Sequence, residues 1–174
     1  MVRKDTESTR NTCPIILGVD PGYGRLGIAV VRKNPTGEEL LHSECFETNP
    51  KLPHPKRLAL ISQKIESVVS EFPLNKVGIE SLLWSKNVKT AMGVAEARGA
   101  IISVIAKNNL PIFEFNPNSI KLAVTGYGKA DKKQVEDMLV RILKIKKDIK
   151  YDDEFDAIAV ALTCANSSYP QQTQ

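Results

Sequence analysis

Ile15-Ile16-Leu17-Gly18-Val19-Asp20 runs into Pro21-Gly22, and the reading of this stretch decides the rest. An unbroken apolar run of this length, stopped by an Asp-Pro-Gly turn, predicts a buried strand with a carboxylate at its carboxyl end. Working outward, 26–31 and 40–46 read as two further strands, with Pro35-Thr36-Gly37 as the turn between them. The first three strands then form an antiparallel meander. Apolar residues at Leu58, Ile61, Ile65, Val68 and Val69 recur at helical spacing within 56–72. A short strand at 76–80, a long helix over about 87–108 and a strand at 111–115 follow. Asn118-Ser119 can cap a short helix to Val124 that Gly126-Tyr127-Gly128 breaks, Asp131 caps a helix to about Lys144, and a last helix covers 152–166. The order predicts an α/β domain: a mixed five-stranded sheet with helices on both faces.

The 174 residues suit one domain, expected over 14–166 between disordered tails at 1–13 and 167–174. No apolar run is long enough to span a bilayer, the first residues lack the apolar core of a signal peptide, and Cys13, Cys45 and Cys164 follow no metal-ligand spacing. A cytoplasmic protein is expected. The net charge is +4, yet residues 121–150 hold nine Lys/Arg against four Asp/Glu, a local balance of +5. That asymmetry suits a polyanion such as nucleic acid; a solvated lysine-rich helix would read the same way. Small residues at Ala91, Ala95 and Gly99 form a stripe along the long helix, suited to close packing on the sheet or on a second subunit, with the sheet preferred.

The acids carry the chemistry. Asp20 and Glu80 each end a strand (Gly-Val-Asp and Gly-Ile-Glu), where ligands of open α/β sheets gather. If the two strands are parallel neighbours, the carboxylates face each other and cannot both stay ionised without a cation. Asp153 and Asp156 are three apart, hence on one face of the first turns of an otherwise apolar helix. Taken singly, each acid also has a plain explanation: turn former, solvated strand end, or a charge favoured by the helix dipole. Four together point to a shared site of hard oxygen donors, suited to Mg²⁺ or Mn²⁺ rather than zinc, and to two-metal phosphodiester hydrolysis. His42 and His54 lie far from these motifs in the sequence, so a histidine base is not expected.

These segments resemble the RuvC family of Holliday-junction resolvases from about Ile15 to Ala165. The landmarks are Gly18-Val19-Asp20-Pro21-Gly22 with Gly27, then Gly78-Ile79-Glu80, Asn87, Thr90-Ala91 and Ala97-Arg98-Gly99-Ala100. The stretch from Ile120 to Ala130 leads into Lys132 and Gln134-Val135, and Asp153 with Asp156-Ala157 closes the series. The resemblance implies an RNase H-like fold and a homodimer that nicks four-way DNA junctions symmetrically. It also implies two Mg²⁺ per active site, with Mn²⁺ able to substitute, and a branch-migration helicase as partner. It assigns Asp20, Glu80, Asp153 and Asp156 to catalysis and metal binding, although some members carry histidine where Asp153 stands. Lys121 and Lys132 match positions that handle DNA phosphate; Asn87, Lys129 and Arg98 join the expected DNA contacts, Arg98 with an equally good structural role. One departure concerns the stretch after the glutamate, where the family presents two aromatic residues and the first stacks on bases. Here Leu83 stands in that place within Leu82-Leu83-Trp84. Leucine cannot stack, so Trp84 is the expected substitute, or Leu83 wedges apolarly.

Three other readings share parts of this pattern. A sugar-kinase or actin-type phosphotransferase begins with the same strand and turn, but needs a second domain for which this chain has no room. A non-cutting DNA-binding relative would lose one or more acids. A relative acting on RNA would lack the long match from Lys121 to Val135.

Overall fold

The computed structural model describes residues 13–81 and 88–167, with the backbone alone at 88–90. Leu83, Trp84, Asn87 and all but Cys13 and Ser167 of the expected tails lie outside the described residues. The elements are β1 (Ile15–Asp20), β2 (Arg25–Asn34), β3 (Gly37–Glu47), α1 (His54–Glu71), β4 (Lys76–Glu80), α2 (Val88–Lys107), β5 (Ile112–Phe115), α3 (Pro117–Thr125), α4 (Lys132–Leu143) and α5 (Asp152–Asn166). The strands form one sheet in the order β3-β2-β1-β4-β5. β1 pairs antiparallel with β2 and parallel with β4, which pairs parallel with β5.

Alternation along the strands sorts side chains onto two faces. Ile15, Leu17 and Val19 of β1 join Leu26, Ile28 and Val30 of β2 in a core with Ile61 and Ile65 of α1 and Ile101 and Ile105 of α2. Ala29 and Val31 face the other way, into a core built from α3, α4 and α5. With helices on both faces, β1 is buried along nearly its whole length, which explains its unbroken apolar run. α5 is buried almost all round from Ala157 to Ala165, as expected of a helix sandwiched between a sheet and other helices. It lies on the sheet at backbone contact: a Cβ added at Gly18 would stand 2.3 Å from the Ala157 carbonyl oxygen, and one at Gly27 would stand 1.9 Å from that of Asp153. Only glycine permits that approach, and it is what brings the first turn of α5 to the ends of β1 and β2.

Three expectations are corrected. The cap of α3 is Asn116, whose side chain accepts the Ser119 N–H at 2.9 Å, with Pro117 at the first helical position, so the helix starts before Asn118-Ser119. The small-residue stripe does not pack on the sheet: Ala95 and Gly99 are exposed, and Ala97 and Ile101 turn inward instead. Phe155, expected in the buried stripe of α5, is only half-buried. β2 and β3 also extend beyond their apolar cores into a hairpin closed by Pro35-Thr36, where Asn34 faces Gly37 and Arg32 pairs with Glu39 at 3.2 Å.

Candidate active site

Val19 of β1 and Ile79 of β4 are register partners in adjacent parallel strands, so the next residues, Asp20 and Glu80, emerge side by side about 4.8 Å apart in backbone spacing. Each carboxyl acts on the other, and both are raised above their ordinary values, as expected of acids that approach this closely. Burial pushes the Asp20 carboxyl up to about 8, with further push from the charges of Glu80, Asp156 and Asp153. Burial also raises Glu80, helped by Asp156 and opposed by the bond to Asp20 and by Lys132. Three carboxylates acting on a fourth is what convergence on one place produces.

Asp153 and Asp156 stand on consecutive turns of α5, and each already has a cation. Arg25 Nε lies 3.2 Å from Asp153 Oδ2, an ion pair without hydrogen-bond alignment, so this buried oxygen is left without a hydrogen bond. Burial raises the Asp153 carboxyl, with Asp152 adding to the rise and Arg25 opposing it. Lys132 Nζ lies 3.3 Å from Asp156 Oδ2 and 2.7 Å from Asp152 Oδ2. Burial raises Asp156 against the pull of Lys132, whereas exposed Asp152 is held down near 2 by its hydrogen bond from Lys132. A cleft of about 210 Å³ opens beside these groups, lined by Glu80, Asp156, Lys121 and Lys132 over an apolar wall of Ile120 and Val135.

The donor set suits a hard divalent cation: four carboxylates, one of them with a buried oxygen lacking a hydrogen bond, and one raised to about 8 where a cation would relieve the repulsion. Among the described residues, no three His, Cys, Asp or Glu side chains form a ready-made metal cage. Two of the acids are engaged with cations instead, Asp153 with Arg25 and Asp156 with Lys132. Coordination of a cation would require Asp20 to ionise, against the rise of its pKa to about 8.

Of the other expected residues, Lys121 lines the cleft and bears on Asp156, while Lys129 is exposed. Arg98 is half-buried, with its guanidinium 2.7 Å from Glu114 of β5, and does not line the cleft. Neither histidine enters it: His42 is bonded to Glu44 at 2.7 Å, and His54 bridges Tyr23 and Glu96 at 2.7 Å each. Sequence reading missed three groups. Arg25 sits on the same strand face as Gly27, so the alternation of β2 pointed it toward α5 once Gly27 was known to touch Asp153. Asp152 looked like one more first-turn acid, and nothing in the sequence paired it with Lys132. Glu154 is buried between the two α5 acids in sequence; Ser43 Oγ donates to it at 2.8 Å and Lys147 pairs with it.

Residues 16–164 match the family model described as crossover junction endodeoxyribonuclease RuvC. A relative of that name from Thermotoga petrophila is 39% identical over 146 residues, covering 84% of this chain and 88% of the relative. Another, from Natranaerobius thermophilus, is 41% identical over 160 residues, 92% of this chain and 99% of the relative. Among solved structures, T. thermophilus RuvC in complex with a Holliday junction substrate superposes with a TM-score of 0.81 at 30% identity, covering 86% of this chain and 92% of that one.

Proposed function

The chain belongs to the crossover junction endodeoxyribonuclease RuvC family, and we propose that it resolves four-way DNA junctions by paired nicks, using Asp20, Glu80, Asp153 and Asp156 as its metal-holding acids. Its fold is RNase H-like, and it is a nuclease of the family's metal-dependent kind. The observation that carries the residue assignment is the rise of Asp20 to about 8, caused first by burial and then by the charges of three other carboxylates, on β4 and α5. Hard oxygen donors favour Mg²⁺, two ions per site, with Mn²⁺ able to substitute. When bound, such a pair supplies activation of water and stabilisation of the leaving oxygen in an in-line displacement at phosphorus.

The protein's own groups do the rest. Asp20 and Glu80, fixed by adjacent strands, form the rigid half of the site; Asp153 and Asp156 form the half that rides on α5. Lys121 and Lys132 border the cleft and hold phosphate next to the cut, and Lys129 extends the cationic surface. Phosphate contacts of this kind position DNA without reading its sequence. Leu83, Trp84 and Asn87 follow Glu80 in sequence and are assigned to the crossover bases. Arg98 is better explained as a brace between α2 and β5, given its short pair with Glu114.

A four-way junction has approximate two-fold symmetry, so a C2 homodimer would set one carboxylate cluster at each of two opposed strands. The exposed face of α2, with Met92, Ala95 and Gly99, is the surface we assign to that contact; Met92 is 61% exposed. No helix among the described residues is long and apolar enough to cross a membrane, and a cytoplasmic location with a branch-migration helicase as partner completes the reading. The test is incubation with a synthetic four-way junction and with linear duplex, with and without Mg²⁺. Symmetric nicks on the junction alone, only with the metal, are expected. Equal cutting of both DNAs, or cutting that survives Asp20→Asn, would overturn it.

A further inference from the structure

Between α3 and α4 the chain presents an aromatic ring to solvent on a backbone that is held from several sides. Gly126 turns the chain out of α3 with φ 75°. The Thr125 hydroxyl accepts the Tyr127 N–H at 3.1 Å and donates to the Lys121 carbonyl at 2.8 Å; the Tyr127 carbonyl in turn accepts the Ala130 N–H at 3.0 Å. The Tyr127 residue is nevertheless 58% exposed. Single exposed aromatics are ordinary, and this one would mean little alone.

It is not alone. Tyr127 borders a groove of about 320 Å³ against α4, with Ala130 and Met138 as apolar lining and Gln134, Asp137 and Arg141 as polar lining. Asp137 and Arg141 are one turn apart on the same helix face, so an acceptor pair and a donor fork stand together. Among the described residues, neither has a salt-bridge or hydrogen-bond partner through its side chain. The groove adjoins the catalytic cleft: Lys132 and Val135 of α4 line the cleft, while Gln134 and Asp137 line the groove. Exposed Lys129 lies two residues after Tyr127, inside the stretch that carries the local +5 balance.

An aromatic plane, an apolar floor and donors and acceptors at the rim, set among cations, match the chemistry of an unstacked nucleobase. We propose that this groove is a nucleobase site, taking one base released at the crossover of branched DNA, stacked on Tyr127 and hydrogen-bonded at its edge by Asp137 and Arg141. The inference rests on the junction-resolving reading and deepens it. Bases in linear duplex are paired and stacked and cannot enter, so the site favours branched over linear DNA.

The test uses Tyr127→Ala and Tyr127→Phe in the full chain, with binding to a synthetic junction and to linear duplex measured in chelator so that nothing is cut. Tyr127→Ala should weaken junction binding about 5- to 150-fold, the range of one lost base–aromatic stack, and leave duplex binding unchanged. Tyr127→Phe should bind within about twofold of the parent, since the ring is kept. Abasic sites placed one at a time around the crossover should reveal one position whose loss matches that of Tyr127→Ala and adds nothing to it. Unimpaired junction binding by Tyr127→Ala overturns the proposal, as do equal losses on junction and duplex, abasic losses that add at every position, or an effect on self-association alone. A parent protein that neither binds nor cuts junctions would sink the underlying function too; a parent that cuts normally beside an unimpaired alanine variant sinks only this site.

Discussion

Asp20→Asn should make the folded protein more stable, not less, when no divalent ion is present. The wild-type carboxyl is pushed from 3.8 to about 8 by burial and by the charges of Glu80, Asp156 and Asp153. Folding therefore retains a proton that the unfolded chain has released, and stability falls as pH rises through the window from about 4 to about 8. At about 1.36 kcal/mol per pH unit, the full penalty is roughly 6 kcal/mol above pH 8 and about 4 at neutral pH. Because Asp20 and Glu80 titrate as a pair, about 2–4 kcal/mol is the share expected for Asp20 alone near neutrality. Asparagine is neutral at every pH and can still donate to Glu80, so the variant escapes this cost. Urea unfolding followed by circular dichroism, in chelator, over that pH window is the assay. The parent should lose stability with rising pH, the variant should lose much less, and the two should converge near pH 4. Adding Mg²⁺ should narrow the gap, since an ion that binds only the folded parent stabilises it by mass action. Parallel pH profiles for the two proteins would refute the claim that the four acids converge.

Lys132→Ala should weaken junction binding and lower the slope of log affinity against log salt by about one; an unchanged slope would remove Lys132 from the phosphate contacts. Gly18→Ala should cost about 1–3 kcal/mol in thermal unfolding, because its Cβ meets the Ala157 carbonyl, and should reduce cutting even where the protein remains folded. Glu154→Ala should cost about 2–3 kcal/mol in urea unfolding, at the low end for a buried ion pair because Lys147 is half-exposed. Glu154→Gln, which can still accept from Ser43, should cost less.

How much of this was legible beforehand differs between elements for physical reasons. β1, β4 and α5 have the bounds the sequence predicts, because each is a dense apolar segment with an abrupt polar edge. β2 and β3 run past their apolar cores since cross-strand pairing, such as Arg32 with Glu39, sustains a hairpin that hydrophobic alternation no longer marks. α3 begins earlier than the Asn118-Ser119 signal predicts, because Asn116-Pro117, a cap followed by a helix-starting proline, offers a competing start just before it. The stripe on α2 was sent to the wrong side since small residues satisfy a packed interface and an exposed surface equally well. The positions of the four acids, at two strand ends and on one face of a helix's first turns, follow from strand ends and helix spacing. Their cations do not: the pairing of Arg25 with Asp153, and of Lys132 with Asp152 and Asp156, depends on side-chain directions that only the packing of α5 against β2 and α4 fixes.

Half of the acid cluster arrives on the fifteen-residue helix α5, which reaches its place only by lying directly on the glycines of β1 and β2. A chain interrupted before Asp152 loses Asp153 and Asp156 together with the helix that covers one face of the sheet. If these four acids are the metal-holding site, cutting waits on a segment that ends only eight residues before the end of the sequence.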